Sequence, residues 1–370
     1  MQLYELKKDL LYEKLKSEIL DGKYDASQKL PKEIDFARQL DVAKVTLRSA
    51  LSRLEEEGLV ARIHGKGTFV VPEKAKKKDI LVIVGNLNEF ANPSIYILEG
   101  IKNAAVKKGI NIKICDRQYL EALTPKAFAQ NIRDNKISGI IAIASYFIGD
   151  EYLLRLLKSS GVPVLLPHAF SSDYRVTGFA TIVPEQAEGC MRAIEYLSSQ
   201  GHKRIATIVH TLSPNLIRGY NKDGYKDLLK KYGADTDDKL IKFMAYEKED
   251  TIKAVNEWMK LSEPPTAIFC FSDYFALYVY EALSKLRIKI PEDISVMGFC
   301  GYPGSAMMGP PLSTIDLEYN KAGELAIDLI SKAEEWYGKK SRSSVPQVKQ
   351  RSFLKEREST GAIKKEVLYA

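Results

Sequence analysis

Apolar residues recur at helical spacing through the first sixty residues, in three stretches that each end at a turn sequence. The periodic positions are Leu11, Leu15, Ile19 and Leu20, then Ile34, Ala37 and Leu40, then Leu47, Leu51 and Leu54. Gly58 is the expected C-cap of the third helix. After it, "ARIHGKGTFVV" places two short apolar runs on either side of two glycines, which reverse the chain tightly because glycine takes φ > 0 without steric cost. The pattern predicts an α+β winged helix-turn-helix.

Residues 79–370 follow a different pattern, in which continuous apolar runs alternate with amphipathic stretches. The runs read as buried parallel strands and are "ILVIV", "GIIAIA", "PVLLP", "RIATIV", "AIFCF" and "ISVMGF". The amphipathic stretches read as helices and include residues 94–109, 186–200, 218–232 and 273–287. Such alternation predicts an α/β domain with a doubly wound parallel sheet.

Between these two regions lies "PEKAKKK", residues 72–78, which is bounded by proline and poor in apolar residues. It is typical of a linker. We therefore expect a winged-helix domain over 1–71, a linker over 72–78 and an α/β domain over 79–370. The lysines of the linker serve solubility or contact additional phosphates, and the sequence leaves both readings open.

The charge of the chain favours a polyanionic partner only mildly. Residues 1–78 hold 17 basic against 13 acidic side chains, and the rest hold 38 against 35. The N-terminus has lysine and glutamate throughout and lacks the apolar core of a signal peptide, and no apolar run reaches membrane-spanning length, so we expect a cytoplasmic protein with no membrane contact. The four cysteines are too widely spaced for a disulfide scaffold or a zinc site, and we expect neither metal nor cofactor.

Polar side chains on the predicted third helix and at the hairpin tip suit a nucleic-acid groove. The helix face carries Lys44, Thr46, Arg48, Ser49, Ser52 and Arg53. The hairpin tip carries His64, Gly65 and Lys66, and it does not match a nucleoside-triphosphate loop because Gly67, rather than Ser or Thr, follows the lysine. A solvated face on an ordinary three-helix domain remains the alternative.

The residues directly after the predicted strands suit a neutral polyhydroxy ligand. Ligands of doubly wound sheets bind at the carboxyl ends of the strands, and these positions hold amides, hydroxyls, aromatic rings and one carboxylate, Asp273. Asp273 also begins a predicted helix, so the sequence permits a ligand anchor, a helix cap or both. No nucleophile elbow, paired carboxylates or histidine cluster indicates catalysis.

Residues 11–70 resemble the winged helix of the GntR family, most specifically in "KLPKE", "VTLRSAL", "LEEEGL" and "GKGTFV". The resemblance implies that the third helix enters the major groove and the wing tip reaches the minor groove. The implied DNA contacts are Lys44, Thr46, Arg48, His64 and Gly65, to which the basic tip residue Lys66 is added. Two departures are Ile34, where the family usually has a base-reading arginine, and Ala43, where it usually has serine or threonine. They predict an atypical operator and a weakened helix start.

Residues 79–361 resemble the effector domain of the LacI/GalR family, which is related to type I periplasmic sugar-binding proteins, in "GHKRIATI", "IPEDISVMGF", "PPLSTI" and "RESTG". The resemblance implies a two-lobed domain, with lobe 1 over about 79–171 and 302–337, lobe 2 over about 172–301 and 338–361, and hinges near Ser171, Cys300 and Ile315. The implied ligand contacts are Phe90, Asn92, Ser145, Tyr146, His168, Phe170, Gln186, Arg218 or Asn221, and Asp273.

Departures from that pattern are His168–Ala169 in place of "D-R" and Cys300 in place of the aspartate of "G-F-D". The pocket therefore lacks an arginine and an aspartate that the family usually has. The LacI-type hinge helix is also absent. A GntR winged helix joined to a LacI-type domain is the arrangement of the arabinose repressors called AraR.

These features predict a transcriptional repressor that a small carbohydrate releases from double-stranded operator DNA. Because one winged helix offers little surface for specificity, we expect a homodimer on a pseudo-palindromic operator. The tail "AIKKEVLYA" is too short for a tetramer-forming heptad repeat. The alternatives are a sugar-processing α/β enzyme with an autoregulatory DNA-binding domain and a sugar-binding transport protein, and the missing signal peptide opposes the latter.

Overall fold

The computed structural model describes residues 2–20, 23–25, 27–71, 79–85, 93–210, 220–338 and 345–363, with side chains from Lys8 onward. The predicted linker 72–78 lies outside the described residues. The same holds for three predicted ligand contacts, Phe90, Asn92 and Arg218.

The N-terminal domain is a winged helix-turn-helix. Its helices are α1 (Gln2–Leu20), α2 (Glu33–Gln39) and α3 (Lys44–Glu56), and its wing is the antiparallel pair β1 (Val60–Ile63) and β2 (Gly67–Val70). Leucines of α1 and α3 pack in the core, as the apolar spacing predicts. Leu15, Leu47, Leu51 and Leu54 are all buried.

One residue of the predicted apolar pattern lies outside this core. Ile34 is 57% exposed near the start of α2, and Phe36 occupies the core in its place. The three-residue step from Ile34 to Ala37 fits a helical face, but α2 turns its Phe36–Ala37 edge inward. The helical spacing therefore holds for α2, but Ile34 is not part of its core face.

The second domain is built from alternating strands and helices. Its strands are β3 (Asp79–Val84), β4 (Asn111–Asp116), β5 (Ile137–Ala142), β6 (Val164–Leu166), β7 (Ala180–Pro184), β8 (Ile205–His210), β9 (Ile241–Met244), β10 (Ala267–Cys270), β11 (Ser295–Cys300), β12 (Ser313–Asp316), β13 (Gln347–Gln350) and β14 (Phe353–Lys355). Its α-helices are α4 (Ser94–Lys108), α5 (Arg117–Leu120), α6 (Pro125–Asp134), α7 (Tyr152–Ser159), α8 (Asp173–Thr177), α9 (Gln186–Ser199), α10 (Lys222–Lys231), α11 (Lys248–Trp258), α12 (Asp273–Lys285) and α13 (Tyr319–Ser331).

The strands form two six-stranded sheets, one for each lobe. The first-lobe sheet has the order β13-β7-β6-β5-β3-β4, and the second-lobe sheet has the order β14-β12-β11-β10-β8-β9. All neighbouring strands in these sheets are parallel except β12 and β14. This confirms the predicted two-lobed doubly wound architecture.

The chain passes between the two sheets near Ile315, as predicted, but its other two crossings lie elsewhere. It crosses after Pro184, after Asp316 and after Gln350, where β7, β12 and β13 end. Hinges near Ser171 and Cys300 were therefore wrong, because β7 still pairs within the first sheet and β12 with β11 in the second. Residues 180–184 belong to the first lobe and residues 313–316 to the second.

Two glycines let α4 and α13 approach each other closely in the first lobe. A Cβ atom at Gly100 would lie 1.9 Å from the carbonyl oxygen of Asn320, and one at Gly323 would lie 2.1 Å from that of Ile97. Only glycine fits at both positions, so backbone contact fixes the spacing of the two helices.

The cysteines differ in burial, and the helices bear on the question of a membrane span. Cys190, Cys270 and Cys300 are buried as predicted, whereas Cys115 is only partly buried. None of the helices in the described part of the chain is both long and apolar enough to span a bilayer.

Candidate nucleic-acid interface and effector cleft

Arg48 is an exposed cation on α3. Its Nε and Nη2 atoms donate hydrogen bonds of 3.1 and 2.9 Å to the carboxylate of Glu33, the first residue of α2. Both side chains remain in contact with solvent. The ion pair keeps the guanidinium at the solvent-exposed surface of the domain.

The wing is tied to the same helix through Arg62. Its Nη2 donates a 3.1 Å hydrogen bond to the backbone carbonyl of Arg48, and its backbone N–H donates to Glu55. At the tip, His64, Gly65 and Lys66 are all exposed. Gly65 has φ of 72° and Gly67 has φ of 115°, so glycine is required at both turn positions. The predicted tip residues and Arg48 thus belong to one connected surface.

Two of the polar residues predicted for the free face of α3 lie elsewhere. Thr46 is 4% exposed and belongs to the core, because α3 turns Thr46 and Leu47 toward α1 and α2. Its predicted base contact is incompatible with that burial. Arg53 is held by α1, where its guanidinium stacks 3.8 Å from the ring centre of Tyr12 and forms an ion pair with Asp9. Lys44 is exposed, as predicted.

The start of α3 lacks a side-chain cap. Ala43 occupies the N-cap position in an extended conformation, and no side chain accepts a hydrogen bond from the first amides of the helix. These N–H groups point out of a helix N-terminus, which favours anions such as phosphate. The sequence reasoning anticipated this from Ala43 itself.

In the first lobe, the buried carboxylate of Asp173 organises the loops that follow β5 and β6. It accepts hydrogen bonds from the backbone N–H groups of Tyr146 at 3.1 Å, Phe147 at 2.8 Å and Phe170 at 2.7 Å. These bonds bring the rings of Tyr146 and Phe170 edge to face, with centroids 5.7 Å apart. Two predicted ligand contacts are therefore placed together by a residue that sequence reasoning missed.

In the second lobe, Asp273 is the corresponding buried carboxylate. It is 4% exposed and accepts hydrogen bonds from the backbone N–H of Tyr302 at 2.7 Å and the hydroxyl of Thr314 at 2.6 Å. Burial raises the pKa of Asp273 to about 7, and the two hydrogen bonds partly oppose that shift. A Cβ atom at Gly298 would lie 2.2 Å from its Oδ1, so glycine is needed beneath the carboxylate.

This geometry corrects both readings of Asp273. The side chain that caps α12 is Ser272, whose hydroxyl accepts from the N–H of Tyr274. The carboxylate of Asp273 is not openly presented to the cleft either, because the residue is 4% exposed. It fixes the position of Tyr302.

A stack of three tyrosines joins the two lobes. Tyr302 follows β11 of the second lobe, and its ring stacks on Tyr96 of α4 at 5.0 Å and on Tyr319 of α13 at 5.7 Å, both from the first lobe. His168, which follows β6, lies 5.4 Å from Tyr319, and Tyr274 packs edge-on against Tyr302. Elsewhere in the second lobe, the ring centroid of Tyr246 lies 4.2 Å from that of His210 and 4.6 Å from that of Phe275.

The other predicted ligand contacts are dispersed. Gln186 is buried at the start of α9, and Asn221 is exposed and caps α10 by accepting from the N–H of Gly224 at 2.7 Å. Ser145 is half-buried beside Tyr146. The tyrosines of the stack were not predicted individually, although Tyr302 stands directly after a predicted strand, where the rule of strand carboxyl ends applies.

Comparisons with known proteins agree with this architecture. Residues 7–70 match the family described as bacterial regulatory proteins, gntR family, and residues 194–360 match a periplasmic binding protein-like domain. The HTH-type transcriptional repressor CytR of Escherichia coli K12 is 27% identical over 290 residues, which are 78% of this chain and 81% of that protein. The arabinose metabolism transcriptional repressor of Geobacillus stearothermophilus is 24% identical over 333 residues, which are 86% of this chain and 90% of that protein.

Solved structures show the same fold in the second domain. A regulatory protein of the LacI family from Chloroflexus aggregans aligns with a TM-score of 0.63 and 18% identity, covering 76% of this chain and 98% of that one. A LacI-family regulator from Enterococcus faecium, solved with bound ribose, aligns with a TM-score of 0.59 and 20% identity, covering 78% of this chain and 100% of that one.

Proposed function

We propose that this chain is a repressor that a small carbohydrate releases from its operator. It is a DNA-binding transcriptional regulator that joins a GntR-family winged helix to a LacI-type periplasmic-binding-protein-like domain. Its homologues are transcriptional repressors rather than enzymes, which decides between the two main hypotheses. The observation that carries the proposal is the stack of three tyrosines between the lobes, because a ligand bound between the lobes would meet these rings.

For DNA, the proposed contacts are Arg48 and Lys44 on α3 together with the wing tip. The bridge from Arg62 to the backbone of Arg48 makes helix and wing one unit, so both would engage the duplex together. Phosphate contacts at the uncapped start of α3 would supply positioning, and Arg48 would read a base edge after leaving Glu33. We propose a homodimer, because two such units on one face of DNA supply the specificity that one lacks.

For the effector, aromatic faces and hydroxyls suit the apolar C–H surface and polar rim of a sugar ring. The supporting residues are Tyr146 and Phe170 in the first lobe and Tyr274 and Tyr302 near the second. Ribose bound to the Enterococcus faecium regulator supports this ligand class. Asp273 would contribute by positioning Tyr302. Effector binding would shift the lobes about the three crossings and change the spacing of paired winged helices.

The test has two measurements on the full chain. DNA selected from a randomised pool identifies the operator, and a thermal-shift screen against mono- and oligosaccharides identifies the effector. A sugar present at 100 times its Kd should add about 2.7 kcal/mol to the free energy of unfolding. The sugar found should then weaken operator binding. Tighter operator binding with sugar would reverse the direction of control, and stabilisation only by non-carbohydrates would reject the ligand class.

A further inference from the structure

Two large apolar side chains lie exposed beside the Arg48–Glu33 ion pair, at the place where the winged helix would meet DNA. Ile34, next to Glu33 at the start of α2, is 57% exposed, and Val45, in the first turn of α3, is 61% exposed. Single exposed apolar residues are common on protein surfaces and need no explanation by themselves. Here both lie at helix N-termini on one face, around the cation that would enter the groove.

The positions of the two residues follow from the contacts of the ion pair. Val45 and Arg48 are three residues apart in α3, so their side chains emerge on the same side of the helix. Glu33 accepts both hydrogen bonds from Arg48, which places the first turn of α2, and Ile34 with it, beside that side of α3. The exposed surface around Arg48 therefore includes two apolar side chains, one from each helix.

In the major groove, the feature that an apolar side chain recognises is the C5-methyl group of thymine. No other base presents an apolar group at that edge. We propose that Ile34 and Val45 each contact a thymine methyl group in the operator half-site, on either side of the base that Arg48 reads. This rests on the proposed DNA-binding function, and it adds a class of operator base to it: thymines flanking the arginine-read position.

The experiment measures DNA affinity with and without single methyl groups. The full chain selects its operator from a randomised DNA pool, and each thymine of the half-site is then replaced by deoxyuridine, which removes only the C5-methyl group. Burial of one such group is worth about fourfold in affinity. We expect two sensitive thymine positions per half-site in the unaltered protein.

Variants assign each position to its residue. Ile34→Ser should abolish the uracil sensitivity at one position and leave the other, and Val45→Ser should do the reverse. Leu10→Ser is the matched control, because Leu10 is equally exposed, at 62%, on α1 of the same domain. It should leave both sensitivities unchanged.

Three outcomes would overturn the inference. Unchanged affinity of the unaltered protein with uracil at every position rejects methyl recognition while the DNA-binding function stands. An effect of uracil that persists equally in both serine variants rejects it in the same way. If no sequence is enriched from the pool, the proposed function itself fails and the inference fails with it.

Discussion

The proposed DNA-binding surface around Arg48, called the DNA face below, and the proposed effector cleft keep their charged groups in opposite ways. Arg48 and Glu33 pair at the surface, where water shares the interaction and salt screens it. Asp173 and Asp273 are buried and bonded to the backbone of the loops they organise. A change on the DNA face should therefore alter binding and leave the fold intact, whereas a change in the cleft should alter stability first. Measurements of DNA affinity and of stability on the same variants can therefore distinguish the two regions.

The largest effect should follow from Asp173→Ala. The variant leaves the buried N–H of Phe147 and the partly buried N–H groups of Tyr146 and Phe170 without their acceptor, and a fully buried unsatisfied donor costs about 1–3 kcal/mol. We expect a loss of at least ~3 kcal/mol in the unfolding free energy, measured by denaturant titration. Asp173→Asn is the control, since its amide oxygen still accepts part of this network. Equal stability of wild type and Asp173→Ala would show that these loops tolerate solvent.

Next in size is the effect of Arg48→Ala on DNA binding. Loss of a bidentate base contact costs about 1–3 kcal/mol of operator affinity. Because the Glu33 ion pair is exposed, the stability change should stay within ~0.5 kcal/mol. Arg117→Ala, which breaks the exposed Arg117–Glu121 pair of the effector domain, is the matched control and should leave operator affinity unchanged. A folded Arg48→Ala variant with full affinity would remove Arg48 from the DNA contacts.

The pH dependence of stability distinguishes the cleft from the DNA face in a third way. Burial raises the pKa of Asp273 to about 7, so the folded state binds its proton more tightly than the unfolded state does. The stabilisation this provides is full below the unfolded pKa, declines as pH rises, and is lost above about 7. Asp273→Asn cannot titrate there. Wild type should therefore lose stability relative to Asp273→Asn between pH 4 and 7, measured by urea unfolding, and parallel pH profiles would contradict the shifted pKa.

The smallest effect should come from Ala43→Ser, which gives α3 the side-chain cap it lacks. An N-cap serine stabilises a helix by about 1 kcal/mol relative to alanine. We expect a comparable gain in the unfolding free energy of the winged helix without DNA. The gain should shrink in the complex if phosphates already bind these amides, because serine and phosphate then compete. Thermal unfolding with and without operator compares the two.

Prediction from sequence succeeded where one contiguous segment carries the information. The winged helix is set by local spacing, and Leu47, Leu51 and Leu54 pack as expected. It failed at Thr46, which lies in the first turn of α3, because periodicity gives the face of a helix to within one residue but not which neighbouring residue the core accepts.

The residues of the cleft were harder to predict from the sequence, because they come from loops far apart in the chain. Asp173 acts on residues 26 and 27 positions upstream, and no local pattern records that contact. Two of the three lobe crossings were misplaced for a related reason. The short polar strand β13 pairs with β7, and its sequence, "QVKQ", has no apolar run to mark it as a strand of the first lobe.

The contact between Gly100 and Gly323 has a consequence for how such a regulator can diversify. The two glycines set the separation of α4 and α13, and these helices carry Tyr96 and Tyr319, which hold the ring of Tyr302 between them. The width of that slot is therefore determined by backbone atoms, and any substitution at either glycine must push the helices apart. The rings that line the slot carry no such restriction. New effector preferences can therefore arise by substitution of these side chains while α4 and α13 keep their separation. A substitution at either glycine would instead disrupt the packing of the first lobe.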